Sequence, residues 1–224
     1  MTADIDRPLF VLAFAAVTGL VFTALIMGLQ AAAGPAIEQN EQEKLRNARR
    51  ELFPDAKLEA GPRATDPETG IVFELILARS RQDPDRRIGY IVPVTGTGFW
   101  ARIDGLLGVT AGGTVGNPPG SMDIRGLVFL SHQETPGLGG RITEREWREQ
   151  FAGIDIDSPS PDGTFISIGK TEPAAGNPAR GRHVDAITGA TGTSTAIRRM
   201  LNTNITRFKR ALAAHYASGK KEDG

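Results

Sequence analysis

Residues 9–29 read LFVLAFAAVTGLVFTALIMGL, 21 residues without a charge, and no other feature limits the fold of this chain so severely. As a helix the run is about 31 Å long at ~1.5 Å per residue, which matches the ~30 Å hydrocarbon core of a bilayer. The competing reading is a cleaved leader ending near Ala31, Ala32 and Ala33. Against it, the one cation ahead of the run is Arg7, beside Asp4 and Asp6, and the run exceeds the roughly 7–15 residues of a leader's apolar core. An uncleaved membrane anchor over residues 1–34 is therefore expected. Ala15, Gly19 and Thr23 recur at four-residue spacing and give a small-residue face suited to another membrane helix, although small residues are common in such helices anyway. Lys44, Arg46, Arg49 and Arg50 follow the run and outnumber Arg7. Charge counting thus argues weakly for a cytoplasmic domain, but whole domains translocate largely regardless of charge.

After the anchor the chain alternates between two periodicities. Residues 38–53 place Leu45, Ala48, Leu52 and Phe53 at helical spacing, and Pro54 ends the pattern. This predicts a stalk or first helix within residues 35–60. Residues 61–70, with Pro62 and Pro67, read as a loop. The β-branched runs at 71–77 and 87–94 read as a hairpin-like pair, and 101–110 and 122–132 as two further strands around a Gly- and Pro-rich loop. Thr143 and Glu146 have capping-box spacing, predicting a helix from there to Phe151. A short strand is expected at 165–170. A final helix over 193–215 carries Ile197, Met200, Leu201, Ile205, Phe208 and Leu212 as an apolar stripe. The expected fold class is α+β: one domain over residues 61–218 with a mainly antiparallel sheet and packed helices, then a polar, frayed tail over 219–224.

Composition removes whole classes of chemistry. Lys plus Arg equals Asp plus Glu at 26 each, and no basic run is interleaved with aromatics, so nucleic acid is set aside as a partner. There is no cysteine, which excludes disulfides, thiolate-bound iron–sulfur clusters and a cysteine nucleophile. His132, His183 and His215 lack metal-ligand spacing. A triad of His183 and Ser194 has no G-x-S-x-G elbow behind it. Electrons passing through such a chain would need a bound organic cofactor.

The densest chemistry lies at residues 185–195, DAITGATGTST, running into the final helix. Thr188, Thr191, Thr193, Ser194 and Thr195 offer hydroxyls. Gly189 and Gly192 permit close backbone approach, and the helix start supplies free N–H groups for an anion. From spacing alone, an over-decorated helix cap explains the same residues.

Asp185-x-x-Thr188-Gly189-Ala190-Thr191 resembles the D-x-x-(S/T)-G-A-T flavinylation motif of the FMN-binding domains of the NqrC and RnfG family of membrane redox complexes. The resemblance implies that Thr191 carries FMN covalently through a phosphoester, installed by a separate flavin transferase with FAD as donor, Asp185 assisting the hydroxyl or binding the transferase. Gly96-Thr97-Gly98-Phe99-Trp100 is similar to the family's G-x-G-L-W segment beside the flavin, making Gly98 and Trp100 binding candidates. His132-Gln133-Glu134-Thr135-Pro136-Gly137-Leu138-Gly139 is similar to its H-x-E-T-P-G-L-G signature, which carries over Glu134, Thr135 and Leu138. A lysine at the place of Lys170 lies near the flavin phosphate in the family. Thr188, Gly189 and Ala190 complete the cofactor-binding set. One departure is Gly192, where the family often has a bulkier residue, and this leaves Thr193 as a second, less favoured attachment point.

The resemblance further implies an electron-transfer subunit of an ion-translocating NADH:quinone oxidoreductase, held in the inner membrane with its domain outside the cytoplasm among other subunits of the complex. The Phe99-Trp100 pair and the Leu138-Gly139-Gly140 ending lean to the NqrC type. An RnfG-like ferredoxin-linked subunit, or an anchored binding domain without flavin, are the alternatives.

Overall fold

A computed structural model describes residues 6–177 and 179–219; Asp4 and the polar tail over 220–224 lie outside them. The chain divides into two compact units, Met1–Arg46 and Asn47–Gly224. A single helix, α1 (Asp6–Leu52), runs from the first into the second. The sequence suggests separate anchor and stalk helices, but helical backbone continues through Pro35, whose missing N–H removes only one intrahelical bond. Within the first unit Leu9, Phe10, Leu20, Phe22 and Leu29 are all exposed, and the helix is long and apolar enough to cross a membrane.

In the second unit five strands form an antiparallel meander in sequence order: β1 (Ala56–Thr65), β2 (Val72–Ser80), β3 (Arg86–Thr97), β4 (Arg102–Thr114) and β5 (Asp123–Ser131). A 3-10 turn (Gly139–Thr143), the short helix α2 (Arg145–Glu149), the parallel pair β6 (Ser167–Gly169) and β7 (His183–Asp185), and α3 (Thr191–Gly219) complete it. The α+β expectation stands. Two local expectations do not. Residues 61–65, read as loop, belong to β1, because a bulge between Ala60 and Arg63 lets the strand pass Gly61 and Pro62 and resume pairing with β2. The capping box at Thr143 is not formed: its hydroxyl donates back to the Gly140 carbonyl within the 3-10 turn, and Glu144 precedes α2 without any side-chain cap.

The alternating residues Tyr90, Val92 and Val94 of β3, Ile103, Leu107 and Val109 of β4 and Phe73, Leu75 and Leu77 of β2 are buried in one core with Ile197, Leu201, Ile205, Phe208 and Leu212 of α3. This is the apolar stripe of the last helix laid on a sheet. Elsewhere the sheet is shaved flat. Gly108 and Gly126 pair across β4 and β5, and a Cβ on either would lie 3.2 Å from Leu52 Cδ2. A Cβ on Gly89 would meet the Phe53 ring at 2.8 Å. The glycines make the floor on which residues 52 and 53 rest.

Two polar clamps fix α3 further along. Arg87, 1% exposed, has no carboxylate partner among the described residues; its guanidinium donates to the carbonyls of Ala111 at 2.7 Å and Asn117 at 2.8 Å and to the Tyr90 and Tyr216 hydroxyls. Burial, and then the bond to Tyr216, pushes the Tyr90 phenol above its ordinary range. At the end of β1, the buried Asp66 accepts two 3.0 Å bonds from Arg210 of α3. Burial alone would raise the Asp66 carboxyl, but donation from Thr69, Arg210 and the Glu68 N–H outweighs it and holds the group below its ordinary value.

A depressed folded-state value means that the unfolded chain binds this proton more readily. The Asp66 contribution is therefore complete above the unfolded value, about 3.9, and lost as pH falls through the lower folded one. Asp66→Asn should lower the melting temperature by a few degrees at pH 7 and reduce the acid sensitivity of the remainder; melts from pH 7 to pH 2 check this, and an unchanged acid limb would contradict it.

Candidate functional site

The site forms where β7 hands the chain to α3. Gly169 of β6 pairs with Asp185 of β7, and the Ala186 N–H donates to the Gly169 carbonyl at 2.8 Å. From α2 and the residue after it, Trp147 Nε1 donates to the Asp185 carbonyl at 2.7 Å, and Gln150 Oε1 accepts the Asp185 N–H at 2.8 Å. The backbone of Asp185 is thus pinned on both sides while its carboxylate is exposed. The chain then turns sharply. Gly189 takes φ +80°, a left-handed value that favours glycine, and the Ser194 hydroxyl oxygen accepts the Ile187 N–H at 3.1 Å. Ser194 is buried in that role and is no nucleophile. Thr188, Gly189 and Thr191 are exposed and Ala190 is buried. Thr191 is the first residue of α3, where first-turn N–H groups have no intrahelical acceptor.

Two loops close on this helix start. At the end of β3 the Gly98 N–H donates to the Ala101 carbonyl at 2.7 Å, turning Phe99 and Trp100 outward with 59% and 66% exposure. Their rings meet edge to face at 5.0 Å. The Phe99 ring lies directly on Gly192, where a Cβ would be 2.3 Å from Phe99 Cδ2. From the loop after β5, Thr135 Oγ1 accepts a 3.1 Å bond from Trp100 Nε1. Leu138, 45% exposed, reaches over Gly189, where a Cβ would be 3.1 Å from Leu138 Cδ2. The backbone on either side of Thr191 is therefore covered, by Leu138 at Gly189 and by Phe99 at Gly192. Outside α1, such exposure of large apolar side chains is confined among the described residues to these three and to Ile71 and Val72.

Glu134 turns the opposite way. It is 4% exposed, and its carboxylate accepts the Phe99 N–H at 2.8 Å, the Trp100 N–H at 3.4 Å and the Thr193 hydroxyl at 2.6 Å. Its contacts are internal to the protein. Thr193 likewise spends its hydroxyl inside, whereas Thr188 and Thr191 are exposed. Lys170 directly follows Gly169, the partner of Asp185, and its side chain is exposed at that end of the β6–β7 pair. His183 is buried, with Nε2 3.6 Å from Asp185 Oδ1, too far for a hydrogen bond. A cleft of about 220 Å³ lies beside the motif, lined by Arg141, Glu144, Gln150, Asp185 and Thr188 among others. No acid or histidine cluster able to hold a metal occurs among the described residues.

The sequence motifs at 96–100, 132–140 and 185–191 thus converge in space. Thr193 as a partner of Glu134 and Trp147 as the pin on Asp185 were missed. For Thr193 the sequence offers only its place two residues after Thr191; for Trp147 it offers none.

Comparison with known proteins agrees with the location of this convergence. Residues 98–206 match the FMN-binding domain family. The C subunit of the Na(+)-translocating NADH-quinone reductase of Yersinia pestis is 30% identical over 133 residues, covering 58% of this chain and 44% of that protein. Its counterpart in Vibrio anguillarum is 32% identical over 132 residues, with coverage of 58% and 44%. Each match therefore spans less than half of the relative's own length. Among solved structures, Shewanella oneidensis NqrC is similar with a TM-score of 0.49 at 18% identity, over 76% of this chain and 74% of that one.

A Cβ on Gly98 would lie 2.4 Å from Glu134 Oε1 and 2.7 Å from both the Ala101 carbonyl oxygen and Ile103 Cδ1. Gly98→Ala should therefore cost roughly 1–3 kcal/mol of stability, as overpacking of a closed site does. The denaturant midpoint measures this, and a midpoint equal to wild type would show that the loop yields freely.

Proposed function

We propose that this chain, whose residues 98–206 match the FMN-binding domain family, is the electron-transfer subunit of a membrane-bound, ion-translocating NADH:quinone oxidoreductase, with FMN held as a phosphoester on Thr191. The observation that carries the reading is the exposed Thr191 at the head of α3, with Leu138 over Gly189 before it and Phe99 on Gly192 after it, and all of Phe99, Trp100 and Leu138 exposed. Large apolar side chains left open beside a threonine at a helix start fit a planar, apolar ring tethered through a phosphate.

The residues present suit such a group. The free N–H groups of the first turn of α3 and its positive dipole end favour a phosphodiester anion. Gly189 and Gly192 keep bulk away from the attachment point, and Leu138 and Trp100 supply apolar walls. Lys170, exposed at the end of the β6–β7 pair, adds a cation on the side of Asp185. Asp185 presents its carboxylate to solvent from a backbone pinned by Trp147 and Gln150, where it can accept the Thr191 proton or engage a flavin transferase. Bound FMN supplies the electron-carrying chemistry, and the chain supplies binding and orientation.

The long apolar stretch of α1 supports a membrane anchor. We place the domain outside the cytoplasm, with the remaining subunits of the complex as its redox partners and quinone reduction as the outcome of the whole assembly. The Phe99–Trp100 pair favours the NqrC type over an RnfG-like subunit.

Production of the chain with a flavin transferase, followed by denaturation, peptide mapping and mass measurement, tests the reading. The peptide containing Thr191 should gain the mass of FMN minus water. Thr191→Ala should lose all denaturant-resistant flavin while shifting stability by no more than about 0.5 kcal/mol, as for an exposed side chain. Flavin retained on that variant, or none on wild type beside an active control, would sink the assignment and favour an anchored binding domain.

A further inference from the structure

We propose that Thr193 and Glu134 form a buried latch that holds the Phe99–Trp100 loop at a fixed place relative to the Thr191 hydroxyl, making Thr193 a positioning residue for the flavin ring. The inference rests on the reading that Thr191 carries the flavin. It assigns a function to a hydroxyl that is spent on Glu134 inside the protein.

The latch is a carboxylate with no cation. Among the described residues no arginine, lysine or histidine pairs with Glu134. Its charge is carried instead by three donors: the N–H groups of Phe99 and Trp100 on Oε1 and the Thr193 hydroxyl on Oε2. Hydrogen bonds to an ionised acceptor are stronger than neutral ones, and a buried charge that loses a donor is left undersolvated. Glu134 therefore cannot give up Thr193 without moving or drawing in water. Either response alters its grip on the two amides that shape the aromatic loop.

The surroundings are built for this contact. Gly98 and Gly139 flank the carboxylate, and a Cβ on Gly139 would lie 2.5 Å from Thr193 Oγ1 and 2.9 Å from Glu134 Oε2. Thr193 is itself 4% exposed. It stands two residues beyond Thr191 in the same first turn of α3, so the helix that would carry the phosphate also supplies the donor that fixes the aromatic pair. Phe99 resting on Gly192 closes the circuit from the other side. The seat of the ring and its point of attachment become one rigid unit, joined through the protein interior rather than through the cofactor.

The test uses the full chain in detergent, both flavin-free and flavin-loaded, as wild type, Thr193→Val, Thr193→Ser and Thr193→Ala. In the flavin-free protein, Thr193→Val should accelerate amide exchange at Phe99 about tenfold, the scale of one lost charge-assisted bond. Exchange in the central strands should stay unchanged. Thr193→Ser, which keeps the hydroxyl, should exchange like wild type. In the loaded protein, Thr193→Val should shift the flavin midpoint potential and Thr193→Ser should restore it. If the valine variant does not fold, Thr193→Ala, which leaves room for a water, gives the same comparison. Unchanged Phe99 exchange overturns the latch whether or not flavin is bound. Faster exchange with an unchanged potential overturns the positioning role. Failure of the wild type to take up flavin overturns the assignment of Thr191 and, with it, the positioning role, while the exchange result still decides the latch.

Discussion

The domain depends on the burial of one helical stripe against one sheet. Ile197, Leu201, Ile205, Phe208 and Leu212 recur on one face of α3, which packs against the sheet chiefly on β1 and β3, and removing this surface from water is the largest favourable contribution available to a domain of this size. Everything at the site follows from where that helix is forced to begin. With its middle fixed by packing and its later turns tied by Arg210 to Asp66 and by Tyr216 to Arg87, its first turn has little freedom. The loops from β3 and β5 are built onto that fixed end.

Much of this was legible in the sequence because it was written in period. The strands at 71–77 and 87–94 announce themselves as apolar, β-branched runs either side of a turn, and α3 through 3.6-residue spacing. β1 did not, since Gly61 and Pro62 read as breakers until a bulge against β2 absorbs them. The capping box misled because the Thr143 hydroxyl had a nearer acceptor in the preceding turn. Local motifs score local contacts, and here the competitor was one turn upstream.

The candidate site shows the same division. Thr191, Trp100 and Leu138 could be named from short motifs, since each stands in a stretch with its own signature. That Glu134 faces inward rather than toward the opening could not be read. The direction of its carboxylate is decided by Gly98, Thr193 and Gly139, which come from three separate segments of the chain. Charge is equally uninformative: the equal totals of acidic and basic residues conceal a buried arginine satisfied by carbonyls and a buried glutamate satisfied by amides and a hydroxyl.

The contact between Phe99 and Gly192 has an evolutionary corollary. The ring occupies the volume that a side chain at position 192 would need, so the two positions share one allotment of space. Among sequences of this kind a large residue at the position after Thr191 should accompany a smaller residue at position 99, and a phenylalanine at 99 should accompany glycine at 192. On that expectation the departure at Gly192 is one half of an exchange of volume whose other half is Phe99.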